Sequence, residues 1–190
     1  MNHGRVIIMN EEESMGAFLR GVLPAAFPQR QEDVDWILIG HQGRTDLEQS
    51  IGRKARAWSE PNARFMITRD NDGGDCRALK TKLVDLLGAP PERPFKIRIV
   101  CQELESWLLG DLEALTKAYP QAKRHASFRT WSKRDPDTLT NASDVLRQLT
   151  GTRAKVQRAE TIGRHSEPKD NRSLSFQTFL SGMRTLFSEK

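Results

Sequence analysis

The sequence predicts an α/β protein, with a mostly parallel sheet flanked by helices and a helical C-terminal extension. Short runs rich in Val, Ile and Leu alternate four times with stretches whose apolar residues recur at helical spacing. Beyond Tyr119 and Pro120 this alternation stops, and the chain becomes polar and basic. Repeated strand–helix units place their strands parallel and cover both faces of the sheet. We therefore expect an α/β domain over residues 1–120, with a mostly helical extension over residues 121–190 packed on it.

The first two strand–helix units occupy the N-terminal third of the chain. Residues 5–9 (RVIIM) predict the first strand, and Ser14 is the expected N-cap of the helix that follows. Residues 34–40 (VDWILIG) predict the second strand. A Gly-containing loop then leads into a basic amphipathic helix over about residues 46–58, and we expect His41 in that loop to be exposed.

The next two units complete the predicted sheet. Residues 65–68 (FMIT) predict the third strand, and Asp75 is the expected N-cap of a helix over residues 76–87. Residues 95–100 (FKIRIV) alternate apolar and basic side chains, which is typical of a strand at the edge of a sheet. In a doubly wound sheet these strands would lie in the order 2-1-3-4.

The remaining helices follow the fourth strand. Residues 103–109, with Trp107 on an apolar face, and residues 111–118 predict two helices, and residues 141–149 predict a further short one. Residues 173–187 predict a last amphipathic helix.

Cysteine usage and hydropathy indicate the compartment. The two cysteines lie 25 residues apart, with no CxxC motif, which argues against a zinc site or a disulfide scaffold and suits a reducing compartment. The apolar residues 6–9 are followed at once by Asn10 and three glutamates, unlike a signal peptide. No apolar run approaches the length of a membrane span. We expect a soluble cytoplasmic protein without a membrane partner.

Basic side chains are concentrated in the C-terminal part of the chain. Residues 1–120 hold 16 basic and 18 acidic side chains (net −2), whereas residues 121–190 hold 14 basic and 7 acidic ones (net +7). This asymmetry indicates an anionic partner for the C-terminal part. Residues 123–134 carry five basic side chains and no acidic one, and they are candidates for binding the phosphates of a nucleic acid: Lys123, Arg124, Arg129, Lys133 and Arg134.

Two aromatic side chains, Phe128 and Trp131, interrupt this basic segment. Aromatic rings stack on nucleic-acid bases, but they also serve more often as core side chains. We favour the second interpretation for both rings. For the charges, phosphate binding and simple solvation both remain open.

Acidic residues follow three of the four predicted strands. Glu11 follows the first strand, Asp70 and Asp72 follow the third, and Glu103 and Glu105 follow the fourth. The carboxyl ends of parallel strands meet at one edge of a sheet, where such folds bind their ligands. Carboxylates crowded there would hold a divalent cation such as Mg²⁺. The alternative is local: Asp, Asn and Gly are common turn residues, and acids are favoured at helix N-termini.

Several stretches in this order resemble a widespread bacterial family with a Toprim-like domain, the fold of the catalytic domains of topoisomerases, primases and OLD-type nucleases. They are EEESMGAFLRGVLP, RDNDGGDCRALKTKL, CQELESWLLGDLEALTKAYPQAK, SK with the later NAS, and NRSLSFQTFLSGM. They span nearly the whole chain. The last stretch places Asn171 and Arg172 near the expected site, and Arg172 joins the candidate nucleic-acid-binding residues.

The resemblance implies roles for three of the acidic residues. Toprim-like domains carry a Glu after the first strand and an Asp-x-Asp pair after a later one, which together hold magnesium. By that pattern Glu11, Asp70 and Asp72 would be catalytic residues and ligands of Mg²⁺ or Mn²⁺, and Glu11 would also transfer a proton. Met15 and Gly16 stand where OLD-like members often have a second Glu. Our hypothesis is that Glu103 and Glu105 replace it as metal ligands.

Three functional hypotheses follow. The first is a divalent-metal-dependent nuclease or related phosphodiester-processing enzyme, which the resemblance places beside an AAA-type ATPase in defence against foreign DNA. The alternative is a non-catalytic Toprim-like subunit that binds a protein partner or nucleic acid; the absent second Glu favours it. A third is a small phosphohydrolase that acts on nucleotides.

Overall fold

A computed structural model describes residues 4–88 and 93–188. The sheet is parallel, with strand order β2-β1-β3-β4. Its strands are β1 Val6–Asn10, β2 Trp36–Gly40, β3 Arg64–Asp70 and β4 Phe95–Val100. The helices of the first part are α1 Glu13–Ala26, α2 Arg44–Ala57, α3 Cys76–Leu87, α4 Leu104–Gly110 and α5 Leu112–Ala118. Those of the second part are α6 Phe128–Trp131, α7 Ala142–Thr150, α8 Lys155–Arg164 and α9 Leu174–Ser188, with 3₁₀ turns at Pro120–Arg124 and Pro136–Thr138.

The strand register aligns the carboxyl ends of the strands. Asn10, the last residue of β1, pairs with Gly40 of β2 and Thr68 of β3. Asp70 at the end of β3 pairs with Val100 at the end of β4. The predicted strand order is confirmed, and so is the edge position of β4, where most side chains are only partly buried.

Alternating side chains of the strands build a hydrophobic core on each face of the sheet. Ile8 and Met66 pack with side chains of α1, α4, α7, α8 and α9. Ile7 and Ile67 face the other way and pack with side chains of α2 and α3. The first core contains Trp107, fully buried as expected.

The C-terminal helices enlarge the first core rather than forming a separate one. Helix α9 packs on β3 and β4, and α8 packs along α1. Glycines permit this close contact, because a Cβ on Gly21 would lie 2.3 Å from the carbonyl carbon of Gly163. The sequence pattern did not predict α8, since Ala159, Ile162 and Gly163 are its only buried apolar or small residues and form a weak periodic signal.

The helix starts show one correct and one wrong prediction. Asp75 caps α3 by accepting hydrogen bonds from the amides of Arg77 and Ala78, at 2.7 and 2.9 Å. Ser14 is not the N-cap of α1: the cap position is Glu12, and the buried Ser14 hydroxyl donates to the Glu12 carboxylate at 3.3 Å. Helix α1 therefore begins at Glu13, two residues earlier than a Ser14 cap would place its start.

None of the helices in the described ranges combines the length and apolar character that crossing a membrane requires.

Candidate metal centre

The ends of β1 and β3 are joined through two acidic residues. The backbone amide of Asp70 donates a hydrogen bond to Oε2 of Glu11 at 3.1 Å. Oδ2 of Asp70 in turn accepts from the amide of Leu104, the first residue of α4, at 3.1 Å. The Asp70 carboxylate therefore lies where β1, β3 and the start of α4 meet.

The environment of Asp70 disfavours its charged form. Burial raises its pKa well above the usual range, and the negative charges of Glu11, Glu105 and Asp72 raise it further, against the hydrogen bond from Leu104. A carboxyl group in this position is either protonated or neutralised by a cation.

Two neighbouring glutamates show the same direction of shift. Burial raises the pKa of Glu11, opposed by the Asp70 amide and the charge of Arg69. Burial also raises the pKa of Glu103, opposed by a hydrogen bond from the Ser143 amide. Three carboxyl groups whose pKa is raised mainly by burial therefore lie at this edge of the sheet.

The turn between Asp70 and Asp72 is organised by Asn71. The backbone amide of Asn71 donates to the carbonyl oxygen of Val100 at 3.1 Å. Its side-chain Oδ1 accepts from the backbone amides of Gln102 at 2.6 Å and Gly73 at 3.2 Å. These bonds hold Asp72 and Gln102 at positive φ, 50° and 65°. Aspartate tolerates this left-handed region better than most residues. Asp72 is exposed to solvent in this conformation.

Glu103 and Glu105, the other predicted ligands, already have partners. Oε1 of Glu103 accepts from the amide of Ser143 at 2.5 Å. Glu105 is buried, and its Oε1 pairs with Nη2 of Arg158 at 3.0 Å. Both carboxylates therefore connect α4 to the helical C-terminal part, and metal binding by Glu105 would compete with Arg158.

The donor set suits a hard cation. In the described part of the chain, no three His, Cys, Asp or Glu side chains converge as a ready-made metal cluster. Glu11, Asp70 and Asp72 nevertheless offer only oxygen ligands, which is the chemistry of Mg²⁺ and Mn²⁺. Burial raises the pKa of Asp70 and Glu11, and nearby acidic charges add to the shift. The donor chemistry of the three residues would suit such an ion, and binding by all three would require the Glu11 carboxylate to turn away from the Asp70 amide.

Arg69 is a component of the site that sequence reasoning missed. It is 7% exposed, and its Nε lies 3.9 Å from Oε2 of Glu11 and 3.5 Å from Oε1 of Glu48. Nζ of Lys82 also pairs with Glu48, 2.7 Å from its Oε2. An arginine inside an otherwise apolar strand was the available signal, because such a charge requires partners.

His41 is buried, contrary to the prediction of an exposed loop histidine. Its Nδ1 lies 2.9 Å from the carbonyl oxygen of Asn10 and its Nε2 lies 2.8 Å from Nζ of Lys54. Burial lowers the pKa of His41. These partners select the neutral ring, with Nδ1–H donating to Asn10 and Nε2 accepting from Lys54. The histidine thus fixes the end of β1, one residue before Glu11.

The basic side chains of residues 123–134 are exposed to solvent. All six candidate nucleic-acid-binding side chains reach solvent: Lys123, Arg124, Arg129, Lys133, Arg134 and Arg172. Nη1 of Arg172 also donates to the carbonyl oxygen of Ser132 at 2.9 Å. Asn171 is buried and donates to the carbonyl oxygen of Trp107 at 2.8 Å, so its role is structural.

The aromatic side chains of this segment pack inwards. Phe128 and Trp131 are partly buried against the first core, which confirms the interpretation favoured from the sequence. The guanidinium of Arg134 lies 5.1 Å from the centre of the Trp131 ring. The surface offered to an anionic partner is therefore one of charges rather than of stacking rings.

The chain folds as a Toprim-like α/β domain, with a parallel sheet of order β2-β1-β3-β4 and helices on both of its faces. The chain belongs to the DUF4276 family, a domain of unknown function whose model matches residues 10–184.

Solved structures agree on the fold. The C-terminal region of the Burkholderia pseudomallei OLD protein is similar with a TM-score of 0.60 at 16% identity, over 97% of this chain and 99% of that one. The C-terminal region of the Xanthomonas campestris pv. campestris OLD protein is similar with a TM-score of 0.57 at 15% identity, over 99% and 98%. No curated protein sequence matches the chain.

Proposed function

We propose that this protein is a divalent-metal-dependent nuclease or related phosphodiester-processing enzyme, with Glu11, Asp70 and Asp72 as its ligands for Mg²⁺ or Mn²⁺. The observation that carries the proposal is the hydrogen bond from the backbone amide of Asp70 to the carboxylate of Glu11, which joins two acidic residues at the ends of neighbouring parallel strands; burial raises the pKa of both side chains, and the charge of Glu11 raises that of Asp70 further. The likeness in fold to the C-terminal regions of OLD proteins supports it.

Each residue has a distinct task in this proposal. Asp70, whose Oδ2 accepts from the Leu104 amide, would be one of the residues that hold the ion. Asp72 approaches from the solvent side, on a turn held by Asn71. When bound, the ion polarises the scissile phosphate and lowers the pKa of a water molecule. Glu11, whose own pKa is raised by burial, accepts a proton from the attacking water.

The exposed basic segment supplies the second part of the proposal. Its side chains bind the phosphates of a nucleic acid and orient the strand towards the carboxylates. Such binding neutralises backbone charge without stacking on bases, because the aromatic rings of the segment are packed inwards. An AAA-type ATPase as partner in defence against foreign DNA remains part of the proposal, supported by the likeness to OLD proteins.

A second candidate is a non-catalytic Toprim-like subunit that binds nucleic acid or a protein. Glu105 favours it, because this carboxylate is already neutralised by Arg158 at 3.0 Å. Met15 and Gly16 favour it too, since they leave the site without a further carboxylate on α1.

Metal binding distinguishes the two candidates. Calorimetry with Mn²⁺ should show binding to the wild-type chain and its loss in Asp70→Ala/Asp72→Ala. Asp85→Ala, an exposed carboxylate on α3, is the matched control and should bind as the wild type does. Hydrolysis of single- and double-stranded DNA and RNA is then assayed with the same variants. Metal binding without hydrolysis, or nucleic-acid binding without metal, would favour the non-catalytic subunit.

A further inference from the structure

The two cysteines of the chain meet beside the Asp70–Asp72 turn. Cys76 is the first residue of α3, and Cys101 directly follows β4. The pairing of Asp70 with Val100 brings the segments after the two strands together. Cys76 is among the groups that act on the Cys101 thiol, whose pKa is raised to about 11, mainly by burial, and both cysteines are free thiols that are partly accessible. Twenty-five residues of sequence separate them, so this contact is a product of the fold.

One of the two sulfurs also contacts the residue that organises the turn. Nδ2 of Asn71 donates to Sγ of Cys76 at 3.1 Å, while Oδ1 of the same carboxamide accepts from the amides of Gly73 and Gln102. On the other side, the Cys101 amide donates to Oγ of Ser175 at 3.4 Å. The state of the Cys76 sulfur is therefore linked through one side chain to the conformation of Asp72.

We propose that Cys76 and Cys101 form a reversible disulfide that regulates the turn, with hydrogen peroxide or an organic hydroperoxide as the oxidant. The Cys76 sulfur attacks a peroxide oxygen, the O–O bond breaks, and the thiol becomes a sulfenic acid with release of water or an alcohol. The Cys101 sulfur then attacks the Cys76 sulfur; the S–O bond breaks, the S–S bond forms, and water leaves with the Cys101 proton. Two thiols lose two electrons, which reduce the peroxide. A cellular dithiol reverses the reaction by exchange.

Cys76 is the first target because of its neighbours. The Asn71 carboxamide donates a hydrogen bond to the Cys76 sulfur, whereas burial raises the pKa of the Cys101 thiol to about 11, so Cys101 reacts second, with the sulfenic acid on Cys76. Pairs of this kind, a target sulfur with a resolving cysteine beside it, are typical of redox-sensing sites.

The disulfide would alter the turn. Joining the sulfurs draws Sγ of Cys76 towards Cys101 and away from Asn71, so the carboxamide loses one of the contacts that orient it. The carboxamide, whose Nδ2 then has only the carbonyl oxygen of Gly74 at 3.0 Å as its partner, is a less firmly placed acceptor for the amides of Gly73 and Gln102, and Asp72 loses part of the support for its positive φ. We expect weaker binding of a divalent cation in the oxidised chain; this consequence, unlike the disulfide itself, rests on the proposed function.

The disulfide is tested on the full reduced chain treated with equimolar hydrogen peroxide. Intact mass after alkylation should show a monomer that has lost two hydrogen atoms and both reactive thiols, and non-reducing peptide mapping should join Cys76 to Cys101. Dithiothreitol should restore both thiols. In Cys101→Ser, dimedone should trap a sulfenic acid on Cys76. A monomer with a sulfinic Cys76 beside a free Cys101, or cross-linking only between two chains, would overturn the proposal.

The consequence for the turn is tested by Mn²⁺ calorimetry on the reduced and oxidised forms. We expect affinity lower by roughly tenfold or more after oxidation, and no such change in Cys76→Ser treated in the same way. Equal affinities in both forms of the wild type would overturn the regulatory part. A disulfide without Mn²⁺ binding in either form would instead refute the proposed function and leave the thiol pair established.

Discussion

Glu105 and Arg158 form a buried ion pair, with Oε1 and Nη2 3.0 Å apart and side chains only 5% and 2% exposed. The pair joins α4, which follows the last strand, to α8 in the C-terminal part. Arg158 also donates to the carbonyl oxygen of Thr152 at 3.0 Å. The C-terminal helices are thus tied to the sheet edge that carries the candidate metal centre.

The first prediction concerns this pair. Arg158→Met leaves the Glu105 charge buried without a partner and should lower the free energy of unfolding by about 3–5 kcal/mol. Glu105→Leu/Arg158→Met removes both charges and should recover most of that loss. Urea unfolding followed by circular dichroism measures both values. Arg147→Met, which breaks an exposed pair with Asp144 on α7, is the control and should change stability by less than about 1 kcal/mol.

The second prediction is a pH dependence set by Asp70. Its folded pKa lies above its value of 3.8 in the unfolded chain, mainly because of burial. The folded state therefore binds more protons, and stability should fall as the pH rises from about 4 through the folded pKa. Asp70→Asn keeps the acceptor for Leu104 and removes this loss. In EDTA its melting temperature should exceed that of the wild type by a few degrees at pH 7, and the difference should vanish below pH 4.

Addition of Mn²⁺ provides the control for this prediction. The cation should raise the melting temperature of the wild type at pH 7 and leave that of Asp70→Asn nearly unchanged. A melting-temperature difference between Asp70→Asn and the wild type that does not grow between pH 4 and 7 in EDTA would contradict a raised pKa of Asp70. The difference isolates this residue, because Glu11 and Glu103, with raised pKa, and Glu60 and Asp75, with lowered pKa, contribute to both proteins alike.

The third prediction concerns the packing of α1 on α8. A Cβ on Gly163 would lie 2.6 Å from the carbonyl oxygen of Phe18, so Gly163→Ala forces the helices apart and should cost about 1–3 kcal/mol. Gly16 on the same helix pair has room, since its Cβ would meet only Asn10, at 3.6 Å. Gly16→Ala should therefore be neutral or stabilise by up to about 1 kcal/mol. Thermal unfolding distinguishes the two; equal losses would contradict the close helix contact.

The parts of this structure that the sequence predicted are those fixed by local pattern. Strand β3 and the Asp75 cap of α3 follow from an apolar run and a short polar side chain at the right position. Parallel pairing then brings the ends of the strands together, which is why Glu11 and Asp70 could be expected at one edge.

The rest depends on contacts between distant segments. His41 lies in a loop that looks solvated, yet it is buried because Lys54, 13 residues later, satisfies its second nitrogen. Helix α8 has a weak apolar pattern because its packing surface consists of small residues and of Arg158, whose partner Glu105 lies 53 residues away. Contacts such as His41 with Lys54 and Glu105 with Arg158 leave no periodic pattern in the sequence, so they could not be predicted from it.

The fourth prediction concerns the exposed basic segment. Arg129→Gln/Lys133→Gln removes two solvent-exposed charges without touching the core. If they bind phosphates, affinity for DNA should fall at low salt, and the slope of log K against log salt concentration should become shallower by about 2. Arg44→Gln/Arg53→Gln on α2 removes the same charge from another exposed surface and is the matched control. Fluorescence anisotropy with a labelled oligonucleotide at several salt concentrations measures both slopes. An equal change in the two variants would indicate a general effect of net charge, whereas a change confined to the first would identify residues 123–134 as the binding surface.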